Sequence, residues 1–298
     1  MYFKAKKSLG QNFLKSEKAL KAMVLAAEVE SNDIVLEIGP GQGALTEHLL
    51  KTGATVVAVE KDDNLFIFLQ EKFAPEINNK KLFLIHGDIL EFGEEKKEKK
   101  KKRSLDCHAS LAMTEGKGKK NDREGEGEKI FKEKLIKNKY KIAANIPYYI
   151  TGQIIRQFLT SDNQPSEMAI LVQKEVAERI VTKDGKESLL SIGVKAYGHP
   201  KKEMIVSRGS FSPAPNVDSA IISIKNISRD YFSKNKIDEE KFWEIIHYAF
   251  AHKRKTLSNN LRGVIDQKTW QKFLQKENLP PSVRAEDLTL KNWVTLFI

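Results

Sequence analysis

The sequence predicts an α/β fold, a doubly wound and mostly parallel sheet followed by a smaller α-helical domain, and three observations carry that prediction. Asp33-Ile-Val-Leu-Glu-Ile38 has a buried-strand pattern, runs into Gly39-Pro40-Gly41-Gln42-Gly43 and continues as a helical segment from Ala44 to Lys51. Strand, glycine-rich loop and helix open a nucleotide-type domain, in which backbone approaches a ligand at the helix N-terminus. Two further apolar runs downstream end on carboxylates, Glu60 and Asp88. After Ile224 the period changes from strand to helix: Phe242, Ile245, Ile246, Ala249 and Phe250 keep helical spacing, as do Leu257 and Leu261, then Trp270, Phe273 and Leu274. The expected division is a ligand-binding domain over 1–225 and a helical domain over 226–298.

Composition narrows the function. The 298 residues suffice for a large core. Lys and Arg number 51 against 40 Asp and Glu, and the resulting charge of +11 points to a polyanionic partner. Cys107 is the one cysteine, which excludes an internal disulfide and a Cys-rich metal site. The six His show no metal-ligand spacing, so no metal is expected. No apolar run reaches the length of a membrane span, and the N-terminus lacks the apolar core of a signal peptide. The expectation is a soluble, cytoplasmic monomer that makes no use of a membrane.

In chain order, Gly10-Gln11-Asn12-Phe13-Leu14 is a short polar turn carrying two large apolar residues. A helix is expected from Ser16, its N-cap, to Val29, with Leu20, Met23, Val24 and Ala27 facing inward. Ala54 to Val59 reads as a second buried strand ending at Glu60, about twenty residues past the glycines, where a carboxylate takes the hydroxyls of a ribose. Leu82 to Ile85 is a third strand, followed by Asp88, an acceptor suited to an adenine amine. Tyr140 to Ala144, Met168 to Val172, Glu203 to Val206 and Ser219 to Ile224 complete the strand pattern, with a helix over Thr151 to Thr160.

Asn145-Ile146-Pro147-Tyr148 stands at the end of the Tyr140 strand. An exocyclic amine on a base is a poor nucleophile because its lone pair is delocalised into the ring. The Asn145 side-chain oxygen and the Ile146 carbonyl can accept its two hydrogens and favour a tetrahedral nitrogen. Pro147 fixes its own φ and keeps Ile146 extended. Tyr148 offers an aromatic face to a base taken out of its stack. Asn and Pro are also ordinary turn formers, so the tetrapeptide gains its meaning from the strand tips upstream.

Glu37-Ile-Gly-Pro-Gly-Gln-Gly43, Glu60, Asp88 and Asn145 to Tyr148 resemble the motifs of class I S-adenosylmethionine methyltransferases acting on adenine N6. With Gly10 to Leu14, the chain is similar to the ribosomal RNA small-subunit adenine N6,N6-dimethyltransferases over nearly its whole length. The resemblance implies a Rossmann-like sheet with an antiparallel final strand, and S-adenosyl-L-methionine as cofactor. Asn12 and Leu14 would close over the cofactor, Gly39 and Gly41 would lie beside it, and Glu60, Asp88 and Asn145 would complete its site. Phe211, in a loop resembling the family's Phe-x-Pro-x-Pro-x-Val motif, would stack on the target base opposite Tyr148. The implied reaction is dimethylation of two adjacent adenines in a hairpin near the 3′ end of small-subunit (16S) rRNA, with the immature 30S subunit as partner.

The departure from that family lies in a longer connection, expected as a disordered insertion at 93–139 because it is dominated by Lys, Glu and Gly. Lys174 and Arg179, and Lys253, Arg254 and Lys255 within a basic cluster that the family shares, are candidate phosphate contacts. Three other functions fit part of the pattern: an assembly factor in which RNA binding outweighs methylation, a methylase of large-subunit rRNA, and a NAD-dependent dehydrogenase. The last gives no reason for Asn145 to Tyr148.

Overall fold

The computed structural model describes residues 6, 9–92, 122–182 and 186–297. In chain order it begins with β1 (Phe13–Leu14), α1 (Glu17–Ala26), β2 (Ile34–Ile38), α2 (Ala44–Leu50), β3 (Thr55–Glu60), α3 (Asp63–Lys72), α4 (Ala74–Asn78) and β4 (Leu82–His86). Then come α5 (Asp122–Lys134), β5 (Tyr140–Ala144), α6 (Thr151–Thr160), β6 (Glu167–Gln173), α7 (Lys174–Val181), α8 (Leu189–Tyr197), β7 (His199–Val206), β8 (Phe211–Ser212) and β9 (Ser219–Lys225). A helical region closes the chain: α9 (Asp230–Asn235), α10 (Glu239–Phe250), α11 (Leu257–Asn260), α12 (Gln267–Glu277) and α13 (Leu290–Phe297).

Seven strands form one sheet in the order β4-β3-β2-β5-β6-β9-β7. The first five pair in parallel, and β9 runs antiparallel between β6 and β7, the antiparallel last strand that the sequence predicted. Neighbouring residues along each strand enter opposite cores, as the two-residue period of a strand requires. Leu36, Val57, Ile142 and Ile170 face one buried cluster, and Val35, Val56, Ala143 and Leu171 face the other. Because both faces are covered, the open polar positions are the strand tips. No described helix is long and apolar enough to cross a membrane.

One difference from the sequence prediction stands out. Residues 93–121 lie outside the described residues, but the latter part of the expected disordered insertion is ordered: α5 spans Asp122–Lys134. Phe131 and Leu135 are buried, and the ring of Phe131 lies 5.3 Å from that of Phe92. The charged and glycine-rich composition concealed a few apolar residues, Ile130, Phe131 and Leu135, spaced closely enough to dock on the sheet. The helical region shares a core with the sheet layer. Phe242, Ile246 and Trp293 belong to the same buried cluster as Ile142, Val194 and Tyr197. Polar bonds pin that junction: Tyr197 Oη donates to Glu239 at 2.5 Å, Arg229 Nη2 donates to the Thr160 carbonyl at 3.0 Å, and Trp243 Nε1 donates to Tyr197 Oη at 2.8 Å.

Candidate active site

The C-terminal tips of β2, β3, β4 and β5 open into a cleft of about 1170 Å³, counted with its mouth. Gly39, Gly41, Glu60, Asp88, Asn145, Ile146, Pro147 and Tyr148 all line it, and so do Asn12, Leu14 and Phe211. The sequence therefore picked out groups that the fold brings to one place, from positions as distant as 12 and 211.

Glu60 ends β3 and is 6% exposed. Its Oε2 accepts from the Gly41 N–H at 3.1 Å and its Oε1 from the Asp62 N–H at 2.8 Å. Burial pushes its carboxyl above the usual range, while these backbone donors pull the other way. Each oxygen keeps acceptor capacity, so the group can take two vicinal hydroxyls. Asp88 is held differently: Oδ1 accepts from the Leu90 N–H at 3.0 Å, and Oδ2 accepts from the exposed Lys61 ammonium at 2.7 Å. Gly39 has φ +66°, and a Cβ built on it meets no atom within 4 Å, so this backbone borders open cleft. Glu37, which also lines the cleft, is buried with its Oε2 unpartnered, and burial pushes its carboxyl up to about 8 although Thr46 pulls the other way.

Beyond β5, Ile146 is 3% exposed and anchors the turn in the core. The amide nitrogen of Asn145 donates to the Asn12 carbonyl at 3.4 Å, an orientation that leaves Oδ1 free to accept. Pro147 sits at φ −56° and ψ 136°. Its carbonyl accepts from the Ile150 N–H at 3.2 Å and from the Thr151 hydroxyl at 3.4 Å, which folds Tyr148 to Ile150 into a single 3₁₀ turn. The Tyr148 hydroxyl is 2.6 Å from that of Ser219 on β9, fixing the ring against the sheet.

The far wall of the cleft is a cover made from two distant segments. β1 pairs antiparallel with β8, Leu14 opposite Phe211 and Phe13 opposite Ser212, and the Lys15 N–H donates to the Ser210 carbonyl at 2.8 Å. Phe211 is only 6% exposed and clusters with Leu14, so it serves as packing for the cover as well as lining for the cleft. Asp62, which sequence reasoning passed over, ties this cover down. Its carboxylate caps α3 through the Asn64 and Leu65 N–H groups and takes Lys6 Nζ at 2.8 Å and Gln11 Nε2 at 3.2 Å. Burial alone would raise this carboxyl, but the donors outweigh it and hold it below the usual range. The available signal was an Asp at a helix N-cap two residues past Glu60.

The predicted basic residues do not join the cleft. Arg179 pairs with Glu175 at 2.6 Å on α7, and the N–H of Lys174 donates to the Asp218 carbonyl at 3.0 Å, tying α7 to the Phe211 loop. Lys253, Arg254 and Lys255 are exposed in the turn between α10 and α11. Among the described residues there is no group of three or more His, Cys, Asp or Glu arranged to hold a metal ion.

Comparison with known proteins agrees with this geometry. The family model described as "Ribosomal RNA adenine dimethylase" matches residues 2–298. The chain is 37% identical over 295 residues to ribosomal RNA small subunit methyltransferase A of Dehalococcoides mccartyi, covering 98% of this chain and 87% of that one. It is 34% identical over 300 residues to the enzyme of that name from Fusobacterium nucleatum, covering 99% and 97%. Among solved structures, the 23S rRNA methyltransferase ErmE matches with TM-score 0.68 at 19% identity, over 96% of this chain and 98% of that one. A dimethyladenosine transferase from Plasmodium falciparum matches with TM-score 0.65 at 22% identity, over 95% of each. These two likenesses show the Rossmann-like methyltransferase fold that the sequence predicted.

Proposed function

The chain belongs to the ribosomal RNA adenine dimethylase family and is an S-adenosylmethionine-dependent rRNA adenine methyltransferase, and from that premise we propose that it dimethylates N6 of two adjacent adenines. The substrate is a hairpin near the 3′ end of 16S rRNA in an immature 30S subunit, and the reaction is linked to small-subunit biogenesis. Residues 1–225 supply the catalytic domain and residues 226–298 a helical domain that contacts RNA through Lys253, Arg254 and Lys255. Lys174 and Arg179 extend that contact.

The residues of the cleft fit the cofactor. Glu60 would hold its ribose hydroxyls, Asp88 its adenine amine, and the open backbone at Gly39 its amino-acid part, with Gly41 alongside beneath the Phe13 ring and Asn12 and Leu14 covering it. When bound, S-adenosylmethionine supplies an electrophilic methyl group on a sulfonium. The protein's task is then to make the adenine amine nucleophilic. Asn145 Oδ1 and the Ile146 carbonyl accept its hydrogens, and no charged base is required because the proton leaves once nitrogen has gained the methyl. Tyr148 and Phe211 hold the base. After one transfer the nitrogen keeps a lone pair and one hydrogen, which one acceptor takes while the new methyl lies on the side of the other, so a cleft with room for that methyl supports a second cycle.

The observation that carries this reading is the contact of the Asn145 amide with the Asn12 carbonyl, which leaves the accepting oxygen uncommitted at a strand tip. Mass mapping of rRNA from cells with and without the protein tests it. Two adjacent dimethyladenines should disappear from the small-subunit RNA of deficient cells. Loss of a mark from large-subunit RNA instead, or no change in either, would overturn the assignment.

A further inference from the structure

We propose that Tyr149 is a positioning residue for the substrate, a stacking platform for the nucleotide next to the flipped adenine. This deepens the reading above and rests on it. Of the seven large apolar or aromatic side chains exposed among the described residues, only Tyr149, at 69%, lines the cleft. An exposed aromatic ring at the mouth of a nucleotide-binding cleft has no packing role that accounts for its outward face.

Its placement is fixed from behind. Tyr149 occupies the middle of the 3₁₀ turn from Tyr148 to Ile150, which hangs from the Pro147 carbonyl. One edge of its ring rests on Gly10, where φ is +60° and a Cβ would lie 3.2 Å from Tyr149 Cε1 and 3.3 Å from Pro147 Cβ. Glycine at this point lets the cover approach both the ring and the turn. Successive tyrosines thus present two surfaces: Tyr148, bonded to Ser219, faces the cavity, and Tyr149 stands at the rim.

Extruding a base deprives its neighbour of a stacking partner. Replacing that partner with an aromatic face recovers about 1–3 kcal/mol per base, which is about 5- to 150-fold in binding. For a substrate with two adjacent adenines, the neighbour is the other adenine of the pair.

The test compares Tyr149→Phe, Tyr149→Leu and Tyr149→Ala in the full chain, with immature small subunits as substrate. Phe keeps the aromatic face, Leu keeps apolar bulk without it, and Ala removes both. KM for the subunit should rise about 5- to 150-fold in the Leu and Ala variants and stay near wild type in the Phe variant. Turnover at saturation and cofactor affinity should hold in all three. A hairpin carrying 2-aminopurine beside the target adenine should show fluorescence quenching with the wild type and the Phe variant that the Leu variant lacks. Equal KM in Phe and Leu variants would overturn the proposal, as would weaker cofactor binding in the Leu variant, which would make Tyr149 a buttress for the cover. If the wild-type enzyme methylated no small-subunit adenine, the functional assignment itself would fall, an outcome distinct from either.

Discussion

The two walls of the cleft are built in opposite ways. The strand-tip wall takes Gly39, Glu60, Asp88 and Asn145 from four neighbouring strands or the turns that follow them, so the ladders of one sheet set their spacing. The cover takes Leu14, Phe211 and Gln11 from segments up to two hundred residues apart, joined by a two-residue ladder and contacts to Asp62. The first wall is rigid because the core is rigid. The second rests on the buried pair Leu14 and Phe211 and on polar bonds to Asp62 whose partner Lys6 is partly exposed, so that each bond contributes little. Chemistry should therefore be most sensitive to the strand tips, and ligand retention should respond more gently to the cover.

The largest effect is expected at Asn145. Asn145→Ala removes an acceptor used when the amine becomes tetrahedral, so turnover should fall about 10²- to 10³-fold while cofactor affinity stays close to wild type. Single-turnover methylation alongside calorimetric titration of S-adenosylmethionine separates the two. Preserved turnover would mean that the strand-tip wall positions the cofactor only.

Glu37 probes how rigidly that wall is packed. In the folded chain its carboxyl is raised to about 8 from an ordinary 4.5, chiefly by burial, so it is protonated when the fold is most stable. A group raised in this direction contributes fully below the unfolded value, and that contribution is lost as pH rises through the folded one. Stability should therefore fall between about pH 4.5 and 8, by an amount on the order of a few kcal/mol. Burial also raises Glu60, with the same sign, so the wild-type slope is shared. Glu37→Gln, a neutral isostere, isolates the Glu37 part: urea unfolding across this window should show a flatter profile, and parallel profiles would sink the idea.

Glu60→Gln should weaken cofactor binding about 10- to 100-fold, the usual loss when hydrogen bonds to a buried charge become neutral ones. Asp88→Asn should cost less, because Lys61 already shares that carboxylate. If the two losses were equal, the difference in their surroundings would have no bearing on binding.

The same contrast explains what could be read from sequence. Glu60, Asp88 and Asn145 were legible because each follows an apolar run whose strand character is local. The 3₁₀ turn and the pairing of Leu14 with Phe211 were not, since nothing near either residue specifies the partner. Helices α3 and α8 escaped notice between stronger signals. Helix α5 was hidden because Lys, Glu and Gly outnumber the three residues that dock it. Asp62 was passed over because nothing near it in the sequence shows that Lys6 and Gln11 converge on it.

Asp62 also supplies the mildest test, and the sharpest for the cover. Asp62→Asn preserves helix capping, because Asn serves an N-cap about as well as Asp. It removes the ion pair with Lys6 and weakens the Gln11 contact. The melting temperature should therefore change little, while cofactor dissociation should quicken about 2- to 5-fold, the scale of one partly exposed ion pair. High salt should produce the same change in the wild type, since Lys6 is 44% exposed, and should add nothing in the variant. Stopped-flow release of S-adenosylmethionine at low and high salt reads both. A wild-type release rate indifferent to salt, matched by the variant, would show that the cover is held by the Leu14–Phe211 pairing alone.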